Sequence, residues 1–182
     1  MKVQILFFHP TMENSKINRG FVNILPNHEN LTFRSIYDEY PNGFIDVPRE
    51  KKLLAENEAI FFQHPFYWYS CPPMMKQWID SVLELGWAYG KGGTALQGKI
   101  WKQIISSAGS GKAYTAEGFH KHTMTEFLLP FKRTAELCNM EYHEPFLIQG
   151  AQGLGKDQVD DLKSQYQKLI LEFCTGRING KR

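Results

Sequence analysis

The chain has 182 residues, 42% hydrophobic and 22% charged, with a formal net charge of +2. That length and balance suit one compact domain with its own core. The near-neutral charge excludes a nucleic-acid binder that works by counterion release along a basic stripe. Cys71, Cys138 and Cys174 are the only cysteines. Odd in number and far apart, they argue against a zinc site and a disulfide framework, and for reduced thiols in a cytoplasmic protein. The start carries only a short apolar run, so neither a signal peptide nor a membrane span is expected.

Residues 3–8 are nearly all apolar, the pattern of a strand buried on both faces, and His9-Pro10 ends it. Ser15 precedes a helical stretch holding Ile17, Phe21, Val22 and Leu25. Residues 31–37 read as a second strand and 47–56 as a helix. Residues 59–63 form the next buried strand, halted at His64-Pro65. After Ser70-Cys71-Pro72-Pro73, Met75, Trp78, Ile79, Val82 and Leu83 make the apolar face of an amphipathic helix that Gly86 should stop. A Gly-rich excursion over residues 90–93 follows. Residues 100–106 give a fourth strand, left through Ala108-Gly109-Ser110-Gly111. Met124, Phe127, Leu128, Phe131, Ala135 and Cys138 repeat at helical spacing, with Pro130 expected to kink or split the run. Residues 145–149 give a fifth strand, and Val159, Leu162, Tyr166, Leu169, Ile170 and Phe173 a last amphipathic helix.

Five alternations of strand and helix specify an α/β domain with a mainly parallel sheet, and right-handed crossovers leave doubly wound topologies. The domain is expected over residues 1–175, with a short basic tail over 176–182. In such folds ligands sit beyond the carboxyl ends of the strands, so function should lie in three loops.

The first loop carries His9, Ser15, Lys16 and Asn18. It follows a strand and opens a helix, which suits a phosphate. It has neither a Walker Lys-Ser/Thr pair nor GxGxxG, so an NTPase or a Rossmann NAD site is not supported. On its own, Ser15 reads slightly better as a plain N-cap. The second loop places Phe66, Tyr67, Trp68 and Tyr69 in a row after Pro65, a surface for a flat heterocycle or, alternatively, for an interface. The third, with Ser106, Ser107, Ala108 and Gly109, lets backbone approach a ligand closely. Tyr114 and His120 follow, a pair able to polarise a proton near neutral pH. Alone this loop is an ordinary glycine turn. Together the three supply a phosphate seat, an aromatic wall and a backbone cradle, the needs of a flavin mononucleotide. No metal ligand set is seen.

The segments HPTMENSKIN, IYDEYPNGFIDV, FFQHPFYWYSCPPMMKQWIDSVLELGWAYGKGG, SSAGSGKAYTAEGFH and LPFKRTAELCNMEYHEPFLIQG carry a resemblance. The chain is similar to bacterial NAD(P)H:quinone oxidoreductases, including ancillary subunits of glutathione-gated potassium efflux systems and, more distantly, DT-diaphorase. The resemblance implies a flavodoxin-like three-layer sandwich, a five-stranded parallel sheet of order 2-1-3-4-5 with helices on both faces. It implies FMN held by the three loops, with Trp68 and Tyr69 beside the ring, and Tyr114 and His120 as catalytic residues. NADH or NADPH would be the hydride donor and a quinone the acceptor, in a ping-pong cycle. Ala108 stands where diaphorases have Gly, and their C-terminal extension is missing, which favours FMN over FAD. Two other roles are open: an ancillary subunit of a potassium efflux protein at the inner face of the membrane, and an electron carrier, which the charge of +2 disfavours. Relatives of this kind are homodimers, and aromatics within residues 87–93 are expected to seek a partner.

Overall fold

The computed structural model describes residues 1–177, so nearly all of the expected basic tail lies outside the described residues. Its strands are β1 (Val3–Phe7), β2 (Leu31–Ser35), β3 (Ala59–Pro65), β4 (Ile100–Ser107) and β5 (Glu141–Gln149). Its helices are α1 (Lys16–Val22), α2 (Ile36–Glu39), α3 (Val47–Glu56), α4 (Pro73–Val82), α5 (Met124–Phe127), α6 (Leu129–Leu137) and α7 (Lys156–Cys174). Every pairing in the sheet is parallel and the order is β2-β1-β3-β4-β5.

Continuous apolar runs in β1 and β3 follow from burial on both faces. Val3 and Ile5 join Phe21, Tyr166 and Phe173 of α1 and α7 in one core. Leu6 and Phe8 join Leu54, Trp78 and Phe131 of α3, α4 and α6 in the other. Each large side chain so buried contributes ~1.5–3 kcal/mol. The result is the expected three-layer sandwich.

The structure moves several boundaries. The second strand ends at Ser35, and residues 36–39 wind into α2. The third strand runs through His64 and Pro65, because both stay in register with Ile105 and Ser106. The fifth begins at Glu141, four residues early. Pro145 is tolerated there because β5 is an edge strand whose register slips between Lys102 and Ile104. The fourth helix stops at Val82, since Leu83 has already left helical geometry, well before Gly86. Pro130 splits the run at Leu128 and sits in the first turn of α6, where its missing N–H costs nothing. Trp87 and Tyr89, expected to seek a partner, are half-buried against the core of α3, α4 and α6. Among the described residues, no helix is long and apolar enough to cross a membrane.

Candidate functional site

Beyond the carboxyl ends of β1, β3 and β4 the three loops enclose one cleft of about 790 Å³, within the range of small-molecule and cofactor sites. His9, Ser15, Lys16 and Asn18 line it from the first loop. Pro65, Phe66 and Tyr67 line it from the second, and Ser106, Ser107 and Ala108 from the third. Trp68, Tyr69 and Gly109 do not. Trp68 and Tyr69 instead border a smaller pocket of about 140 Å³ with Phe66, Tyr114 and His120. Phe66 lines both spaces. Ala151, Gln152 and Leu154, after β5, also line the cleft, from outside the three loops expected to form it. The available signal was positional: Gly150 and Gly153 mark a small-residue loop at the same edge of the sheet.

In the first loop Ser15 is the N-cap of α1, its hydroxyl accepting the Asn18 N–H at 3.2 Å and the Asn18 amide at 2.9 Å. The buried Asn18 side chain also meets the Ser106 hydroxyl at 3.0 Å. It therefore ties the first loop to the third, and its polar groups are engaged with protein. His9 is buried, and its Nδ1 accepts the Thr11 N–H at 3.2 Å. Nε2 is left to carry the proton of the neutral ring, and burial lowers the ring's pKa.

The second loop closes with the Ser70 N–H donating to the Tyr67 carbonyl at 2.9 Å. Trp68 and Tyr69, its two central residues, have φ of +48° and +61°. Two consecutive positive φ values define a type I′ turn, which normally holds Asn or Gly. Trp68 at its tip is 93% exposed. Tyr69 is held by Phe127 at 5.0 Å and by the edge of His120 at 5.5 Å between ring centroids.

The third loop has a fixed polarity. The Ser106 carbonyl accepts from Phe66 N–H at 2.7 Å and the Ser107 carbonyl from Ala151 N–H at 2.9 Å. The Gly109 carbonyl accepts from Gly150 N–H at 2.8 Å and from the Ser107 hydroxyl at 2.9 Å. The N–H groups of Ala108 and Gly109 donate to no protein atom among the described residues. The Ser106, Ser107 and Gly109 carbonyls are engaged, whereas the Ala108 and Gly109 N–H groups are free. Tyr114 and His120 stack face to face at 4.3 Å and 17°. A Cβ on Gly109 would lie 3.1 Å from the Tyr114 hydroxyl and 3.2 Å from His120 Nε2, so only glycine admits both beside the loop. Burial raises the Tyr114 pKa and keeps its hydroxyl protonated at neutral pH.

Known proteins share this chain's sequence and shape. The uncharacterized NAD(P)H oxidoreductase YrkL of Bacillus subtilis (strain 168) is 39% identical over 170 residues, 93% of this chain and 96% of that protein. The glutathione-regulated potassium-efflux system ancillary protein KefG of Pectobacterium atrosepticum is 40% identical over 164 residues, 90% of this chain and 88% of that protein. The structure of general stress protein 14 from Treponema denticola in complex with FMN superposes with a TM-score of 0.86 at 31% identity, covering 97% of this chain and 99% of that one. An NADPH-quinone reductase from P. pentosaceus gives 0.86 at 29%, covering 93% and 98%. A family model described as flavodoxin-like fold matches residues 1–170. Sheet order, cleft position and sequence agree: the chain belongs to the flavodoxin-like fold family.

Proposed function

We propose that this chain is an FMN-dependent NAD(P)H oxidoreductase acting on quinone-type acceptors. The observation that carries the reading is the polarity of the third loop. The free Ala108 N–H in the cleft wall, with the free Gly109 N–H next to it and the Ser106, Ser107 and Gly109 carbonyls engaged, suits a ring edge of carbonyl oxygens and bare nitrogens. The remaining wall fits the same group. His9, Ser15 and Lys16 would hold its phosphate, and Pro65, Phe66 and Tyr67 would pack on its ring. When bound, FMN supplies two-electron hydride transfer between a nicotinamide and an acceptor. The YrkL and quinone reductase relatives support that chemistry.

The chain's own residues would act on position and charge. The small pocket of Phe66, Trp68, Tyr69, Tyr114 and His120 would stack a flat donor or acceptor, each in turn, as a ping-pong cycle requires. The loop's N–H groups would stabilise negative charge that develops on the ring edge, and the protonated Tyr114 hydroxyl, beside His120, would donate to an acceptor oxygen. Purified protein is expected to be yellow and to release FMN. Colourless protein that FMN does not reconstitute would end this reading.

Trp68 and Phe119 are 93% and 84% exposed and both adjoin His120's neighbourhood, a face that supports a homodimer closing over the small pocket. Sedimentation at micromolar concentration tests it, and a monomer contradicts it. The similarity to KefG supports a second role, as an ancillary subunit at a membrane potassium efflux protein. Efflux activation that survives loss of electron transfer would favour that role.

A further inference from the structure

His64 does not line the cleft, but it is bonded to the backbone of a residue that does. His64 is fully buried in β3, with Nδ1 2.9 Å from the Pro65 carbonyl oxygen and Nε2 3.2 Å from the Gln103 amide nitrogen. A carbonyl only accepts, so Nδ1 carries the proton and Nε2 is the acceptor for the amide. Gln103, also fully buried, accepts the Tyr142 hydroxyl on Oε1 at 3.1 Å. The three bonds run one way: Tyr142 to Gln103, Gln103 to His64, His64 to Pro65. The array ends on a backbone carbonyl, which passes no proton onward, so it holds geometry and conducts nothing. Burial keeps the ring neutral by lowering its pKa to about 4.

The Pro65–Phe66 peptide is thereby held at both ends, its carbonyl by His64 and its N–H by the Ser106 carbonyl at 2.7 Å. Two acceptors of residues that line the cleft, the Pro65 and Ser106 carbonyls, are thereby engaged within the protein. We propose that His64 is a positioning residue that, through the Pro65–Phe66 peptide, keeps this wall free of acceptors and so selects a ligand edge rich in them. The proposal rests on the flavin reading, which names FMN as that ligand.

The test uses the full chain. Asn places its amide nitrogen where His has Nδ1, so His64→Asn keeps the donor to Pro65, whereas His64→Leu removes it. FMN affinity is read from quenching of flavin fluorescence, and the wild-type ring is read by 15N spectroscopy. The ring is expected as the Nδ1–H tautomer, unchanged from about pH 5.5 to about pH 8. Loss of one buried hydrogen bond should weaken FMN about fivefold to tenfold in His64→Leu. His64→Asn should bind within about twofold of wild type. If His64→Leu does not fold, Tyr142→Phe substitutes for it: releasing the Gln103 amide should bring an Nε2–H ring signal and weaker FMN binding. An Nε2–H ring in wild type, equal weakening by Leu and Asn, or unchanged affinity in the variant that folds would overturn the positioning role. Wild type that binds no FMN while its ring is as expected would overturn the flavin reading and, with it, the ligand selection.

Discussion

Gly109 shows how one missing methyl group can decide a site. Its backbone conformation is open to other residues, and the constraint is the space taken by the Tyr114 hydroxyl and His120 Nε2. Gly109→Ala should therefore fold normally and displace both rings, lowering kcat/KM by roughly tenfold or more, the scale of a misplacement near 1 Å. Unchanged steady-state kinetics would remove Tyr114 and His120 from the chemistry. His64 gives a second residue-scale outcome, in stability. Its folded pKa of about 4 lies below the unfolded value of 6.5. The unfolded ring takes up a proton below pH 6.5 while the folded ring stays bare, so its contribution is complete above 6.5 and falls as pH drops toward 4. That is about 3 kcal/mol across the window. Burial lowers the pKa values of His9 and His143 as well, which adds loss of the same sign. Urea unfolding near pH 7 and near pH 4.5 should give a shallower pH slope for His64→Asn than for wild type.

At the scale of elements, the alternation of apolar and turn-forming segments was legible, and so was the meeting of loops after β1, β3 and β4. The start of β5 was not. Residues 141–144 are polar because β5 is an edge, and an edge strand lacks the apolar run by which a buried one is recognised. The turn after Tyr67 was illegible for another reason: Trp and Tyr are poor residues for a type I′ turn, so propensity pointed elsewhere. A strained turn with a 93% exposed Trp at its tip carries a cost that packing does not explain. Trp68→Asn, better suited to positive φ, should raise stability by up to ~1 kcal/mol. It should also raise KM for a quinone, because a stacking surface is lost. Denaturant midpoint and steady-state kinetics on one preparation check both. A variant that gains stability with unchanged KM would detach the turn from substrate binding.

Across the whole molecule, the feature least legible in the sequence is a partly buried ionic cluster at the β2 side of the sheet. Arg34, Glu39, Arg49 and Glu50 each look like solvated surface charge, because no local spacing shows that β2, α2 and α3 bring them together. Glu50 is fully buried and accepts from Arg34 at 2.5 and 2.8 Å, from the Tyr40 hydroxyl at 2.5 Å and from the Trp78 indole at 2.9 Å. Burial alone would pull the Arg34 pKa down, yet the two carboxylates outweigh it and hold the guanidinium charged. Glu39, shared between Arg34 and Arg49, has its pKa lowered by those partners against the opposing pull of burial. Removing Glu50 alone strips the buried Arg34 of one of its two carboxylates and leaves the Tyr40 and Trp78 donors unmatched, so Glu50→Ala should cost about 3 kcal/mol. Replacing Arg34 as well removes the under-compensated buried charge while Glu39 keeps Arg49, so Arg34→Met added to Glu50→Ala should cost little more, or restore stability. A double-mutant cycle in urea measures this directly. Strictly additive losses would mean that the cluster is four separate contacts rather than one coupled unit joining the sheet edge to α3 and α4.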